Sequence, residues 1–418
     1  MNWLEIIEKS LKIWSVKEPE PDEVKKVSEL LGTPSKKVQY VLNRWYNEIL
    51  GKYIDKRCVS ICEDVVECIY SPIVGAIPRY FPVILHATGT VLLFEKDYIK
   101  TIAFPIHRAM DYGIHGVSIP DETPIEVTER IDGWQITFYY DPILKKWIAA
   151  TRYVLHNMKF EKGKLVVEDF GNIINPFVET AMVIAEASGL LDKFKGFEGW
   201  TFTFILAGPE PAIIKPPHPS KWNWEKYRLY FICARRPDGT LLTVRESSDL
   251  LKVEHVPIIE PKSGKELLRI YEKSLNSMSI FLRYGNDKIT PTIIEIKSAL
   301  YPEAMNLKYY NDAKALTILI TEGYRDEVLN LIQDDYVKNL AKQFLQTYED
   351  FIKLIETRGE VAEEFLEKVR PYGKDIVNEF IKRNWRRGLR KLLASIASKE
   401  KDIQIVLEVF KDLLNTIR

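Results

Sequence analysis

Cysteine is scarce, with four in 418 residues, which excludes a disulfide framework as the main source of stability in a chain of this size. Cys58, Cys62 and Cys68 cluster in RCVSICEDVVEC at spacings that match no C-x-x-C zinc pair. Buried structural thiols are therefore expected, with a metal or redox role as the alternative. Long apolar runs are also missing. None approaches the roughly 18–20 residues of a membrane span, and MNWLEIIEKSLKIW lacks the apolar core of a signal peptide. A soluble cytoplasmic protein with no membrane partner is the expectation. Neither sign of charge is in excess: Lys+Arg and Asp+Glu are both 59, for a formal net charge of zero. Overall charge thus gives no reason to expect polyanion binding, and only local basic patches remain to be weighed. The chain has no P-loop, no H-E-x-x-H and no Ser-His-Asp signature. Glutamine is sparse beside abundant Lys, Glu and Ile, a composition of thermophilic type.

What is present falls into three zones without low-complexity linkers or internal repeats. Residues 1–52 are helical by pattern. Pro21-Asp22-Glu23 opens one helix, Gly32 closes it, and Thr33-Pro34-Ser35 starts a second, KKVQYVLNRWYNEIL. Helix, short turn, helix is the outline of a helix-turn-helix, with Lys36, Lys37, Arg44 and Trp45 on the second helix and DNA as a partner through residues 20–50. The alternative is a helical hairpin docked on the next domain, with Leu42 and Trp45 as core. Residues 53–305 are rich in strands: VILHATGTVLLFE, EVTERIDGWQITFYYD, KKWIAATRYVLHNM, GWTFTFILAG, YRLYFICARR, SIFLRY and TPTIIEIKS alternate or run apolar. One helix, PFVETAMVIAEASGLLDKF, interrupts them. Residues 306–418 return to amphipathic helices such as EVAEEFLEKV and GKDIVNEFIKRNWRRGLRKLLASI. The fold class expected is α+β, a largely antiparallel domain flanked by helical N- and C-terminal domains.

Over roughly residues 80–350 the order of strand motifs resembles the phage-type ATP-dependent RNA ligases of the nucleotidyltransferase superfamily. HATGTVLLFEKDYIKTIAFPIHRAMDYG is similar to the segment with an Arg-Gly strand and a Pro-x-x-Lys-Phe-Phe-Asn element. TERIDGWQITFYYD resembles the strand pair that holds the nucleophile motif K-x-D-G, and AATRYVLHN the returning strand. WTFTFILAGPEPAIIK and YRLYFICARRPDGTLL stand where F-E-x-x-x-P-x-N-x-I-V and its following strand are expected. SIFLRY and IIEIKSALY stand for E-G-x-V and K-x-K-S-x-x-Y. The resemblance implies an antiparallel nucleotidyltransferase fold, with ATP and Mg²⁺ as cofactors wherever the ligase activity is retained.

The same motifs predict that the chemistry has gone. In that family a lysine amine attacks the α-phosphate of ATP, and the nucleophile must be a nitrogen that can lose its proton. Here the position is Arg130, a guanidinium that stays charged and delocalised. The glutamate of the third motif falls on Ile205, and the Glu-Gly of the fourth on Met278-Ser279. The first lysine of the last motif falls on Glu295, the arginine of Arg-Gly on Thr88, and the lysine before Phe-Phe-Asn on Arg108. Asp132, Gly133, Arg152, Lys297, Ser298 and Tyr301 keep the expected type. Phosphoryl transfer needs positioned cations and a metal, so no catalytic residue, no metal ligand and no bound cofactor are expected. Lys145 or Lys146 taking over as nucleophile is the alternative, and with it an active ligase of diverged motifs.

A binding role remains. Arg108, Arg130, Asp132, Gly133, Arg152 and Lys297 are the candidate nucleotide- or phosphate-binding remnants. Trp222 and Trp224 in KPPHPSKWNWEKYR are candidates for stacking on unpaired bases, or for covering the sheet. Lys382, Arg383, Arg386, Arg387, Arg390 and Lys391 crowd one stretch of the tail, as a phosphate-contacting helix or a solvated basic face. The function expected is a catalytically degenerate RNA ligase-fold protein that binds structured RNA or a ribonucleoprotein such as a ribosome.

Overall fold

The computed structural model describes residues 2–45, 49–73, 82–96, 98–114, 116–162, 164–167, 173–208 and 224–417. The chain divides into two compact units, one of Met1–Tyr271 with Ser279–Lys297 and one of Glu272–Met278 with Ser298–Arg418. The expected α+β class is what the structure has. The helices before residue 53 belong to the first unit, whose last strand ends at Lys297.

The first unit is layered. Strands β1 (Ile54–Cys62), β2 (Val65–Pro72), β3 (Thr90–Glu95) and β4 (Tyr98–Ala103) form an antiparallel sheet in sequential order. One face takes the helices α1 (Trp3–Trp14), α2 (Pro21–Leu31) and α3 (Val38–Asn43), around Leu4, Ile7, Leu31, Leu42 and Trp45. Trp45 is fully buried there, and α3 is only six residues long, entered through a 3-10 turn at Ser35–Lys37. The helix-turn-helix outline is thus a hairpin that serves as one wall of a core. Its apolar positions Leu31, Leu42 and Trp45 are spent on that packing.

The other face meets a second sheet. Strands β5 (Met110–Asp111) and β6 (Glu126–Glu129) belong elsewhere, while β7 (Trp134–Asp141) and β8 (Lys146–Thr151) pair as a hairpin. A ribbon of β9 (Met158–Glu161) and β10 (Lys164–Val167) follows, then α4 (Pro176–Ala187), capped by the Asn175 side chain, and α5 (Leu190–Lys193). β11 (Thr201–Ala207) and β12 (Arg228–Arg235) complete a sheet ordered β12-β11-β7-β8. Its outer face carries α4 and α5 over Phe138, Phe194, Phe202, Phe204 and Phe231. Its inner face packs on the first sheet through Ile69, Val91, Leu93, Tyr139 and Ile148. After α6 (Val244–Leu251), β13 (Ile258–Ile259) and α7 (Gly264–Tyr271), the strands β14 (Ser279–Tyr284) and β15 (Thr292–Lys297) build the third sheet, ordered β13-β6-β14-β15-β5.

The second unit is a helical assembly from α8 (Tyr301–Tyr310) through α9 (Ala313–Thr321), α10 (Asp326–Leu331), α11 (Asp335–Arg358), α12 (Glu363–Val369), α13 (Lys374–Ile381), α14 (Trp385–Glu400) and α15 (Ile403–Asn415). Phe344, Phe351, Phe365, Phe380 and Phe410 are fully buried at its centre. No helix among the described residues is long and apolar enough to cross a membrane.

The cysteine expectation is corrected in part. Cys58 and Cys68 face each other across β1 and β2 and are joined as a disulfide, Cys62 is exposed, and only Cys233 is a buried thiol. Register explains the pair: antiparallel neighbours directly opposite bring their side chains within bonding reach.

The core between the first two sheets also holds a carboxyl pair. Glu67 on β2 is fully buried, and burial, followed by the charge of Asp141, pushes its pKa up to about 9. Asp141 Oδ1 accepts from the N–H groups of Ile143 and Leu144. Native Glu67 therefore holds a proton that the unfolded chain releases above about pH 4.5. Stability falls as pH rises from there towards 9, by at most about 1.4 kcal/mol per pH unit. Glu67→Gln is expected to flatten this slope, so that thermal melts at pH 6 and pH 8 lie closer together than in the wild type. An unchanged gap would show that Glu67 is ionised in the native core.

Candidate functional site

The residues singled out from the motifs come from distant parts of the chain and meet at one place. A cleft of about 430 Å³ is lined by Thr88, Arg108, Arg130, Gly133, Arg152, Ile205, Glu295 and Lys297, with Asp111, Glu126, Trp134, Phe281 and Arg283 among the rest. Its walls are the ends of β6, β14 and β15 on one side and β7, β8, β11 and β12 on the other.

The tetrapeptide Arg130-Ile131-Asp132-Gly133 is the crossover between those walls. It leaves β6 in the third sheet and enters β7 in the second. The Arg130 N–H donates to Ser279 O at 2.9 Å, which ties the start of the crossover to β14. At its end a Cβ on Gly133 would stand inside contact distance of Leu206 O and 2.7 Å from Ile205 Cγ2. Glycine is required there by close approach of β11. Asp132 is half-buried on the turn and lies outside the cleft lining. The upstream wall is held as closely. Gly89, at φ 95°, passes within 3.1 Å of the Arg152 Cα as judged from a Cβ added to it, and Ser71 Oγ donates to Arg152 O at 2.9 Å. Thr88 Oγ1 donates to Ile106 O at 2.6 Å, and Gln135 Nε2 donates to Thr88 O at 2.9 Å.

Electrostatically, the cleft centres on Glu295. This carboxylate is 6% exposed and receives Arg130 Nη1 at 2.9 Å and Ser279 Oγ at 2.6 Å. Lys297 lies 2.7 Å from Asp111 and 3.7 Å from Glu295. Arg283 donates to the carbonyls of Leu242 and Leu241 at 2.9 and 2.7 Å. Arg152 differs from these: its Nε is buried without a hydrogen-bond partner. No ion pair or hydrogen bond engages its guanidinium among the described residues. Burial lowers its pKa, and the charges of Arg108 and Arg130 lower it further. An uncompensated guanidinium in a partly dry wall is a place for an anion.

The inner end is less polar. Ile106, Ile232, Leu241, Val256 and Ile293 line it together with Cys233 and His107. His107 Nε2 meets Pro291 O at 2.7 Å, and burial, followed by the Arg235 charge, holds its pKa down at about 3. Burial also pushes the Glu126 carboxyl up, against the pull of Arg283, while Glu126 Oε1 accepts from the Val244 N–H at 2.8 Å. Sequence reading missed Asp111, Glu126, His107 and Arg283. Only the alternation of SIFLRY, with Arg283 among its apolar residues, hinted that a cation faces inward.

The donor set does not fit a divalent metal. Glu295 is engaged by Arg130 and Asp111 by Lys297, and no group of three His, Cys, Asp or Glu suited to a metal exists among the described residues. Lys145 and Lys146 sit at the β7–β8 turn and do not line the cleft.

The other sequence candidates lie apart from it in the chain. Trp222 is outside the described residues, as is the side chain of Trp224. The tail cations belong to the second unit and are paired within it: Arg386 with Glu356 at 3.2 Å, Arg387 with Glu379 at 3.1 Å, and Arg390 with Glu322. Lys391 lies 2.8 Å from Glu379 and 3.3 Å from Asp375. Lys382 and Arg383 stand in the break between α13 and α14, where Arg383 has φ 59°.

No family model matches the sequence, and no curated protein matches it. Among solved structures, an archaeal ATP-dependent RNA ligase is similar at 13% identity over 95% of this chain and 90% of its own, with a TM-score of 0.38. A Naegleria gruberi RNA ligase variant solved with ATP and Mn is 15% identical over 43% of this chain and 51% of its own, with a TM-score of 0.30. A second Naegleria variant, solved with AMP and Mn, is 11% identical over 60% and 97%, with a TM-score of 0.29. Likeness at this level transfers neither substrate nor chemistry.

The close packing at the crossover makes its own prediction. Gly133→Ala is expected to cost about 1–3 kcal/mol of stability, the usual penalty for overpacking against backbone, measured by denaturant unfolding. A loss below a few tenths would mean that β11 can move away from Gly133.

Proposed function

We propose that this chain is an RNA-binding protein built on an RNA ligase-like scaffold from which nucleotidyl transfer has been lost. It acts on structured RNA or within a ribonucleoprotein such as a ribosome. The observation that carries this reading is Arg130. At the place where the resemblance puts a lysine nucleophile, the cleft presents a guanidinium bound 2.9 Å from the buried Glu295. A guanidinium cannot supply the free lone pair that attack on phosphorus needs. Glu295 opposes the charge that a transferring phosphoryl group develops, where an active site would place a cation. The lysine within the cleft lining is Lys297, and it lies between Asp111 and Glu295. Ile205, with a hydrocarbon tip, cannot bond a ribose hydroxyl.

What supports RNA is the combination left behind: an unpartnered Arg152, Arg108 beside it, and an apolar inner wall that a base can occupy. The tail cations contribute less to binding, because carboxylates of their own unit already neutralise Arg386, Arg387, Arg390 and Lys391.

Incubation with labelled ATP and Mg²⁺ or Mn²⁺, followed by a denaturing gel, is expected to give no covalent AMP adduct, for the wild type and for Arg130→Lys alike. An adduct abolished by Lys297→Ala would instead identify an active ligase of diverged motifs. In filter binding to single-stranded and structured RNA, Arg152→Glu is expected to weaken affinity by about tenfold or more. Arg386→Glu with Arg387→Glu is expected to have a smaller effect and to flatten the salt dependence. RNA affinity untouched by Arg152→Glu would remove the cleft from the interface.

A further inference from the structure

We propose that the cleft takes one phosphodiester-linked nucleotide of an RNA strand, a ligand with a single negative charge, and that Glu295 is the residue that turns polyphosphates away. The inference rests on the reading of the cleft as an RNA site and assigns the charge that the site accepts.

Of the five Lys and Arg side chains in the lining, four are already engaged, Arg108 among them. Arg130 is held by Glu295, Lys297 by Asp111 and Glu295, and Arg283 by two backbone carbonyls. The guanidinium of Arg152 is the group without such a commitment, and it offers roughly one positive charge to a ligand. A phosphodiester carries one negative charge and meets that demand without disturbing anything else. A nucleoside triphosphate carries several. To satisfy them the cleft would have to recruit Arg130 or Lys297, and either step strips a cation from a carboxylate that is 6% exposed. Breaking a buried pair by removing one partner is strongly unfavourable, because the remaining charge is left desolvated. A divalent ion could offset the extra charge, but two of the four lining carboxylates are already engaged by Arg130 and Lys297, and no group of three residues suited to a metal exists among the described residues. Volume agrees with a small occupant: about 430 Å³ lies near the lower end of the range for small-molecule sites. The apolar inner wall and Trp134 suit the base, which loses little by leaving water.

The test is competition binding in the presence of EDTA, with adenylyl-3′,5′-adenosine (ApA), AMP and ATP as probes against the full-length wild-type chain. ApA is expected to bind, and ATP to bind about tenfold more weakly or worse. Glu295→Gln keeps the shape and removes the charge, so it is expected to raise ATP affinity by about tenfold or more while changing that of ApA little. The wild-type ranking tests the idea even if that variant fails to fold. ATP binding as tightly as ApA to the wild type, or an unchanged ratio in a folded Glu295→Gln, would overturn the role of Glu295. AMP binding more tightly than ApA would assign the cleft to a free mononucleotide and overturn the phosphodiester. If ApA does not bind while longer RNA does, and Arg152→Glu abolishes that binding, the single-nucleotide ligand fails and the RNA reading stands. If RNA binding is indifferent to Arg152, both fail together.

Discussion

The cleft depends on one buried carboxylate. Glu295 projects from β15 and gathers Arg130 from the crossover, Ser279 from β14 and, at longer range, Lys297 from its own strand. Asp111 on β5 completes the set through Lys297. Each partner alone would be a weak reason for order, since Arg130 and Lys297 are 38% and 44% exposed on their side chains and exposed ion pairs contribute little. Glu295 is different because it is dry. A carboxylate at that depth must be neutralised or bonded, so its partners are held where it needs them. The segment that joins two sheets is therefore fixed at both ends, by a charge at Arg130 and by steric fit at Gly133.

The rest of the crossover is fixed by packing. Gly133 is demanded by β11 passing overhead, and Gly89 by the Arg152 backbone. These are packing requirements, and they hold whether or not a reaction occurs between the walls. The side chains that reach into the cleft are held differently, Arg130 and Glu295 by their mutual charge. Once Glu295 occupies the cleft it requires a cation, and Arg130 meets that requirement permanently, as a guanidinium does not lose its proton.

Much of this was legible in the sequence, and the parts that were not share a cause. The alternation of WQITFYYD, TFTFILA and TIIEIK marked strands that the structure has as β7, β11 and β15. The order of motifs brought Thr88, Arg108, Arg130, Arg152, Ile205 and Glu295 to one cleft, although they span more than 200 residues of chain. VILHA, by contrast, is a 3-10 turn rather than a strand, because an apolar run alone does not distinguish a buried strand from a buried turn. The stretch GKDIVNEFIKRNWRRGLRKLLASI looked like one amphipathic helix and is two, broken at Arg383, whose left-handed backbone has no strong sequence signal in a non-glycine residue. The tail cations were visible as a cluster. Their partners Glu322, Glu356, Asp375 and Glu379 were not, since those acids come from outside the helix that carries the run. Periodicity reports faces, and pairing across elements needs the fold.

The same distinction separates the two basic features. In α14 each arginine of the run meets an acid of its own unit, so the cluster that looked most like a nucleic-acid contact is largely neutral at short range. In the cleft, five cations stand with four acids, and the balance fails at Arg152. Counting charges along the chain would rank the tail first. Counting charges left without a partner ranks the cleft first, and it is the unpartnered charge that can recognise a ligand, because a paired one must first give up what it already holds.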